Sequence, residues 1–392
     1  MNRPEQIFTF WGTATVVLAF AHAYAFLRMA RLLALSPRAR TAAALVLGGL
    51  FAAGIAVMPL FRALPRDMVS PLAWFAFTWL GVLFLLILAL LAGEAVLLAR
   101  KCTPRTSAHD PQRRVFFQRM LGFAALGSTG LTAGGSAWNA LRPVEIRSVA
   151  VPLDRLPQAL NGLCIAQITD LHIGPMIDGF WLRDVVEKVN ALGADIVAIT
   201  GDLVDGSVAE LKEHVAALRD LRARYGVYFV TGNHEYYSGV EGWVAHLGTL
   251  GIRVLDNSHV TIRAGEPLEP LVLAGVADYR SHRFPGHRAD LPKALAGCDP
   301  ECAVVLLAHQ PVAVLEAAEY GIDLQLSGHT HGGQIWPWGY LVRLQQPYIS
   351  GLHRHPGSNT QIYVSSGTGF WGPPMRLGTA AEITRLTLLA KA

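Results

Sequence analysis

The stretch SGHTHGGQ, Ser327–Gln334, places two histidines one residue apart among three glycines. Glycine lets a backbone turn tightly and approach another group without a Cβ clash. The stretch follows the apolar run LQL, which predicts a buried strand that ends at this point. We therefore expect a loop at a strand end that holds His329 and His331 close to something small, together with groups from elsewhere in the chain.

Polar side chains also follow four other predicted strands. GLCIAQITD ends in Asp170 with His172 beyond it, ADIVAITGD ends in Asp202, GVYFVTGN leads to Asn233 and His234, and CAVVLLAHQP contains His309. Helical periodicity at Phe180–Leu192, Val208–Arg224 and Val240–Leu250 separates several of these strands. Buried strands that alternate with helices predict an α/β fold. Ligands of such sheets gather at the carboxyl ends of the strands.

The five loops together offer two carboxylates, one amide and five imidazoles. Such a set suits two divalent cations that share a bridging carboxylate. Carboxylate oxygens mixed with imidazole nitrogens favour Mn, Fe, Zn or Ni over Ca or Mg alone. A cation pair lowers the pKa of bound water, and the resulting bridging hydroxide attacks phosphorus in line. The pattern therefore predicts hydrolysis of a phosphomonoester or phosphodiester.

The motifs DLH, GDLVDG, GNHEYY, LLAHQP and SGHTHGGQ, in this order, resemble those of the calcineurin-like metallophosphoesterases. The resemblance covers roughly residues 160–390. It implies a four-layer αββα sandwich with a dimetal site at one edge. The membrane spans described below, with HTHGGQ and GTGFWGPPMRLG, resemble the membrane-anchored branch of that family, and several bacterial relatives there act on, or are suspected to act on, envelope or lipid-linked phosphoesters.

The resemblance also assigns roles to individual residues. One metal ion would be bound by Asp170, His172 and His331, the other by Asn233, His309 and His329, and Asp202 would bridge the two. His234 would not bind metal but would face the leaving-group oxygen and either donate a proton or stabilise charge there. Asp205 would either support the site from behind or cap a turn.

The first 142 residues form a second region, which we expect to be an all-α transmembrane domain of about four helices. Of the 392 residues, 52% are hydrophobic and only 16% are charged. Four windows lack Asp, Glu, Lys and Arg: Ile7–Leu27, Thr41–Phe61, Val69–Gly93 and Met120–Leu141. Each is long enough to cross a bilayer, which takes about 20 residues. We expect a connector at residues 143–157 and the metallophosphoesterase domain at residues 158–392.

The arginines between these windows predict the orientation of the spans. Residues 28–40 and 100–119 are rich in arginine, whereas residues 62–68 hold only two, so the first and third linkers are expected in the cytoplasm. The catalytic domain then lies outside the cytoplasm of a multi-pass inner-membrane protein. Arg113-Arg114 before the fourth window is either a twin-arginine export signal or an ordinary positive flank.

Partners and alternative functions follow from charge and composition. The net charge is only +4 and no basic track appears, so a lipid bilayer and a phosphoester substrate are favoured over nucleic acid, and a nuclease remains an alternative function. A metal-binding membrane sensor without turnover is the other alternative. Aromatic side chains at Tyr236-Tyr237, Trp336–Tyr340 and Phe370-Trp371 form either a substrate or lipid rim or packed loops. Cys298 and Cys302 form either a small disulfide or two free thiols, and the sequence does not specify an oligomeric state.

Overall fold

The computed structural model describes residues 4–101 and 111–391. The chain forms two compact units. One consists of Met1–Leu141 with Gly372–Met375, and the other of Arg142–Trp371 with Arg376–Ala392. Cys102, one of the four cysteines, lies outside the described residues.

The first unit is built from four long helices. These are α1 (Pro4–Leu32), α2 (Pro37–Ala63), α3 (Arg66–Lys101) and α4 (Pro111–Leu141). Three of them contain a segment long and apolar enough to cross a membrane: Trp11–Leu32, Pro37–Phe61 and Arg66–Ala99. The fourth predicted span falls in α4, which is helical but does not reach that apolarity within the described residues. Its many Gly, Ser and Thr residues account for the difference, and the fourth span stays a prediction.

Polar residues inside this helical unit are paired with one another. The His22 imidazole donates from Nδ1 to the Leu18 carbonyl at 2.8 Å and accepts at Nε2 from the Trp79 indole at 2.9 Å. Glu94 lies 2.6 Å from the Arg28 guanidinium and accepts from the Tyr24 hydroxyl at 3.3 Å. Nε2 of His22 and the charge of Glu94 are thus used in joining helices, while Nδ1 of His22 is satisfied within α1, as expected where lipid cannot solvate them.

The second unit contains two six-stranded sheets. The first has the order β1-β12-β2-β3-β4-β5 and the second β10-β11-β9-β8-β7-β6. The strands of the first are β1 (Glu145–Leu153), β2 (Cys164–Ile168), β3 (Ile196–Ile199), β4 (Val227–Phe229), β5 (Arg253–Val254) and β12 (Glu382–Ala390). The strands of the second are β6 (Ser258–Ala264), β7 (Glu269–Gly275), β8 (Ala303–Leu307), β9 (Leu324–Ser327), β10 (Gly351–Arg354) and β11 (Gln361–Val364).

The described part of this unit also contains seven α-helices. They are α5 (Gly179–Ala191), α6 (Val208–Val215), α7 (Asn233–Ser238), α8 (Val240–Thr249), α9 (Leu291–Ala294), α10 (Val314–Glu319) and α11 (Gly339–Val342). One buried core joins the facing sides of the two sheets and includes Ile165 and Ile196 from the first and Leu273 and Leu326 from the second. A separate cluster packs α9 and α10 on the second sheet through Leu291 and Ala317. The unit is therefore the expected four-layer αββα sandwich.

Three local expectations need correction or resolution. The stretch expected to be a connector contains β1, which pairs in parallel with β12 over its whole length and so belongs to the first sheet. The helix expected at Val208–Arg224 ends at Val215 and passes into a 3₁₀ turn, because the Asn190 side chain binds the backbone of residues 220 and 222 and draws the chain away from the helix. Cys298 and Cys302 are free thiols.

Candidate metal centre

The parallel pairing of strands places the five motif loops at one edge of the sandwich. In the first sheet β2, β3 and β4 run parallel to one another, and in the second β7, β8 and β9 do so. Their carboxyl ends therefore share an edge within each sheet. The loops that follow β2, β3 and β4 meet those that follow β8 and β9, and every residue predicted to bind metal is found there.

One group of potential ligands combines Asp170 and His172 from the loop after β2 with His331 from the loop after β9. The Nε2 atoms of the two histidines are 3.1 Å apart, and Asp170 Oδ1 is 3.4 Å from His331 Nε2. All three side chains are buried. Burial raises the pKa of Asp170, while burial and then the neighbouring His172 hold the pKa of His331 well below its usual range. A neutral imidazole is the form that binds a metal ion.

A second group combines Asp202, His309 and His329. Asp202 Oδ2 is 3.1 Å from His309 Nε2, which in turn is 3.2 Å from His329 Nδ1. Nδ1 of His309 lies 2.7 Å from the Thr200 carbonyl, a contact that fixes the ring and leaves Nε2 directed into the group. Burial and then His309 lower the pKa of His329 to about 3.

One carboxylate oxygen faces both groups. Asp202 Oδ2 lies 3.1 Å from His309 in the second group and 3.9 Å from His172 Nε2 in the first. Burial raises the pKa of Asp202, but the charges of His309 and His234 outweigh it and hold that pKa well below the usual range. The ionised carboxylate is thus held between the two ligand groups, where a bridging ligand is required.

Asn233 supplies an amide oxygen at the beginning of α7. The side chain is buried, and its Oδ1 has no hydrogen-bond partner among residues 4–101 and 111–391. A buried polar atom without a partner costs free energy, so it needs a ligand. The donor set as a whole, with two carboxylates, one amide oxygen and four imidazoles, therefore fits two first-row divalent ions.

His234 lies beside this centre and is held by Asp205. The His234 Nδ1 is 2.5 Å from Asp205 Oδ1, and its Nε2 is 4.0 Å from Asp202 Oδ2. Asp205 also places its second oxygen 3.2 Å from His172 Nδ1. Burial lowers the pKa of His234, but the charges of Asp202 and Asp205 raise it to about 9. Of the two interpretations of Asp205, the geometry supports an acid that orients imidazoles at the site.

A third cluster of potential ligands consists of His172, Asp205 and His234, because Asp205 lies between the two histidines. Its members are already joined by the Asp205 contacts just described. We therefore interpret it as the hydrogen-bonded support of the site.

Left-handed backbone conformations are concentrated in the candidate ligands. Positive φ angles occur at Asp170 (53°), His172 (48°), Asp202 (51°), His329 (69°) and His331 (50°). Non-glycine residues seldom take this conformation, which costs roughly 1–3 kcal/mol each and is typical of functional sites. The sequence indicated that glycines would make the tight turns, but the ligands themselves also carry the strain.

Two glycines let the loops approach the ligands closely. A Cβ on Gly232 would lie 2.2 Å from Asp202 Oδ1, and one on Gly328 would lie 2.2 Å from Asp170 Oδ2. Neither contact leaves room for a side chain. Gly328 was expected to allow such an approach, whereas Gly232 was not singled out.

Glu235 is a buried residue of the site that sequence reasoning missed. Its carboxylate accepts hydrogen bonds from the backbone N–H groups of Asp202 (3.0 Å), Leu203 (2.8 Å) and Gly232 (2.6 Å). Burial and the charge of Asp202 raise its pKa to about 7. It ties the loop after β3 to the loop after β4. The sequence feature that could have revealed it is its position three residues into α7, where a glutamate accepts hydrogen bonds from backbone N–H groups at a helix start.

Arg376 is the other residue that was missed. It is only 1% exposed, and its guanidinium donates to backbone carbonyls, with Ser366 at 2.8 Å, Gly369 at 2.6 Å and His331 at 3.3 Å. The same loop donates its Gly369 N–H to the Asp170 carbonyl at 3.0 Å. Arg376 therefore holds together the backbone that carries two of the candidate ligands.

Two aromatic rings flank His234. The ring centroids of Tyr237 and Trp371 lie 5.4 Å and 5.5 Å from that of His234. Gln334 fixes the position of Trp371 through two hydrogen bonds to its backbone, at 2.9 Å and 3.1 Å. The rings are therefore part of the mouth of the site, and both remain partly exposed.

Comparisons with known proteins agree with this geometry. A family model described as Calcineurin-like phosphoesterase matches residues 164–333. Two proteins named Transmembrane protein with metallophosphoesterase domain are each 41% identical to this chain. The match covers 67% of this chain and 62% of the Danio rerio protein, and 80% of this chain and 73% of the Bos taurus protein.

Two more distant matches were also found. An Uncharacterized metallophosphoesterase of Aquifex aeolicus is 34% identical, over 63% of this chain and 93% of its own length. The solved structure of a dimetal phosphatase from Danio rerio matches weakly, with a TM-score of 0.36 and 14% identity over 52% of this chain and 87% of that chain. On the strength of the family model and of relatives matched over most of their length, the chain belongs to the calcineurin-like metallophosphoesterase family.

Proposed function

We propose that this protein is a membrane-anchored phosphoesterase that works with two divalent metal ions, of which Mn, Fe, Zn and Ni suit the donors. The position of Asp202 Oδ2, facing both ligand groups, is the observation that carries the proposal. Asp170, His172 and His331 would hold one ion, and Asn233, His309 and His329 the other. When bound, the ions would bind phosphate oxygens as Lewis acids and lower the pKa of water to supply a nucleophile.

His234 is placed to act on the leaving group. Asp205 fixes its Nδ1, so that the free Nε2 points toward the space beside Asp202 Oδ2. The two carboxylates favour the protonated ring, which can donate a proton to the oxygen that leaves phosphorus. A sensor that only binds metal has no need of this pair, so the geometry supports catalysis.

The aromatic mouth supports a substrate with an apolar part. The rings of Tyr237 and Trp371 both pack edge-to-face on His234, beside which the leaving group would lie. Aromatic rings bind apolar or sugar groups by stacking. We therefore propose a lipid-linked or envelope phosphoester, a phosphodiester included, as the natural substrate.

The location completes the proposal. Three helices are suited to cross a membrane, and in this proposal α4 crosses it as a fourth span. The arginine-rich linkers at residues 28–40 and 100–119 favour the cytoplasmic side, so the chain beyond α4 lies on the opposite side. We propose a multi-pass inner-membrane protein with the catalytic unit outside the cytoplasm.

Hydrolysis of a chromogenic phosphodiester by metal-loaded protein, together with metal analysis, tests the function. Asp202→Ala should lose both metal ions and activity. His234→Ala should keep the metals and lose about 10²–10⁴-fold in turnover. His353→Ala, on exposed strand β10, is the matched control and should change neither. Full activity in the Asp202 variant would exclude the proposed centre.

A further inference from the structure

The segment Trp336–Leu344 places large apolar side chains in solvent next to the candidate site. Trp336 is 60% exposed, Tyr340 65% and Leu344 80%. Trp338 and Leu341, between them, are also about half exposed. Side chains of this size are normally buried, and a group of them at the surface marks a place of interaction.

Backbone hydrogen bonds hold these side chains in one short, turned segment. The segment contains the single turn of α11, and hydrogen bonds join Tyr340 N to the Pro337 carbonyl and Leu344 N to the Leu341 carbonyl, at 3.0 Å and 3.1 Å. Nine residues are therefore held in two successive turns. A short, ordered element of Trp, Tyr and Leu has the composition found where proteins meet the headgroup region of a bilayer.

Charge identifies the kind of surface that fits. The chain contains no Asp or Glu between Asp323 and Glu382, and Arg343 lies within the segment. The Arg280 guanidinium donates to the Gln345 side chain at 2.8 Å, which adds a second cation at its edge. Cations beside exposed aromatic side chains complement an anionic lipid surface.

A second copy of the chain fits less well. In a symmetric contact the same patch faces itself, so Arg343 of one copy would approach Arg343 of the other without a carboxylate from this stretch to separate them. A bilayer, in contrast, is always within reach, since the chain has three helices suited to cross one.

We infer that Trp336–Leu344 is a docking element that inserts its aromatic and aliphatic side chains into the interface of an anionic bilayer. The segment follows Gln334, which binds the backbone of Trp371, and the ring of Trp371 lies 5.5 Å from that of His234. Docking therefore brings the mouth of the candidate site to the lipid surface. Only this link to catalysis rests on the proposed function, and the docking itself does not.

Depth measurements on the full-length protein in lipid nanodiscs test the inference. A fluorophore is attached at Leu344→Cys, with Leu268→Cys as the matched control, in a variant whose four native cysteines are replaced. Leu268 is also well exposed (65%) but lies between β6 and β7, at the other edge of the second sheet. A docked Leu344 lies about 5–10 Å into the interface, so a quencher on the lipid chains should act on it several-fold more strongly than on Leu268.

The charge dependence provides a second measurement. Arg343→Glu should weaken docking to anionic nanodiscs about fivefold or more, because each cation near such a surface contributes of order 1 kcal/mol. Arg354→Glu makes the same change on exposed strand β10 and should have a smaller effect. Hydrogen exchange on the unmodified chain should show protection of residues 336–344 in anionic nanodiscs but not in zwitterionic ones. This measurement does not depend on the cysteine variants.

Each alternative result overturns the inference. A label at Leu344 that a water-soluble quencher reaches as readily as Leu268 would show a solvated segment. A label hidden from both quenchers would show coverage by protein, such as a second copy. If docking is found but hydrolysis is not, the proposed function fails while the membrane surface stands.

Discussion

The role of Arg376 leads to a prediction about which metal ion is lost first. Replacing it with Met keeps a side chain of similar length and removes the buried donors. The carbonyls of Ser366 and Gly369, now 2.8 Å and 2.6 Å from the guanidinium, would lose charge-assisted hydrogen bonds. Such bonds contribute about 1.5–3 kcal/mol each, so a total loss of roughly 3–6 kcal/mol is expected for the two. For a unit of this size, at about 2–4 °C per kcal/mol, that lowers the melting temperature by roughly 6–24 °C.

The position of Arg376 makes the effect on metal binding selective. A Cβ on Gly367 would lie 3.2 Å from Arg376 Nη2, from Asp170 Cβ and from His331 Nδ1. All three groups thus surround one small space, and the guanidinium also contacts the His331 carbonyl. The ligands of the first ion should therefore loosen while those of the second stay in place. We expect Arg376→Met to bind close to one metal ion per chain where the parent binds two.

Metal content by mass spectrometry and the spin coupling of bound Mn²⁺ by electron paramagnetic resonance measure this outcome. Uncoupled signals from a single ion would agree with the prediction. Arg376→Lys keeps the charge but fewer donors, and should recover part of the second ion. A variant that binds two coupled ions as tightly as the parent, or loses both together, would refute the selective role.

Three further predictions concern the loops and the metals. Gly232→Ala forces a Cβ against Asp202 Oδ1 and should abolish metal binding, as measured by calorimetry. The control is Gly248→Ala in α8, where the added Cβ meets open space. This control should leave metal binding intact and stabilise the fold by up to about 1 kcal/mol. His234→Ala and Asp205→Asn remove the proton donation, so hydrolysis of an alkyl phosphodiester should slow more than hydrolysis of a nitrophenyl phosphodiester, whose leaving group needs no proton. Equal slowing of both reactions in steady-state assays would contradict a general acid. Removal of metal by a chelator should lower the melting temperature, because the ions bind the folded state alone, and an unchanged transition in calorimetry would show an empty site.

Much of the fold and the candidate site could be predicted because both depend on local patterns. The apolar runs that end at Asp170, Asp202 and Asn233 are short buried strands in the structure, and parallel pairing places their ends together. Position in such a sheet follows from strand direction, so residues far apart in sequence could be assigned to one edge.

Features that depend on distant partners could not be predicted in the same way. Strand β1 has no partner nearby in sequence and pairs with β12, more than 200 residues later. Arg376 lies 45 residues from the His331 carbonyl that it contacts, and an arginine between Met375 and Leu377 has no pattern that reveals burial. The apolar part of α4 differs from the three apolar segments in how many Gly, Ser and Thr residues dilute the apolar ones, a difference of degree that a count of charges misses.

The strain of the site and its burial have one physical explanation. Left-handed φ angles at five candidate ligands cost roughly 5–15 kcal/mol together, at 1–3 kcal/mol each. Burial of Asp170 adds a desolvation cost that the neighbouring imidazoles offset only in part, whereas the imidazoles around Asp202 outweigh the cost of burying it. Hydrogen bonds that Glu235 accepts and Arg376 donates hold the loops in place without neutralising Asp202. Divalent ions would neutralise both carboxylates and use the donors that the strained loops direct inward, so metal binding would stabilise the same conformation that prepares the centre for chemistry.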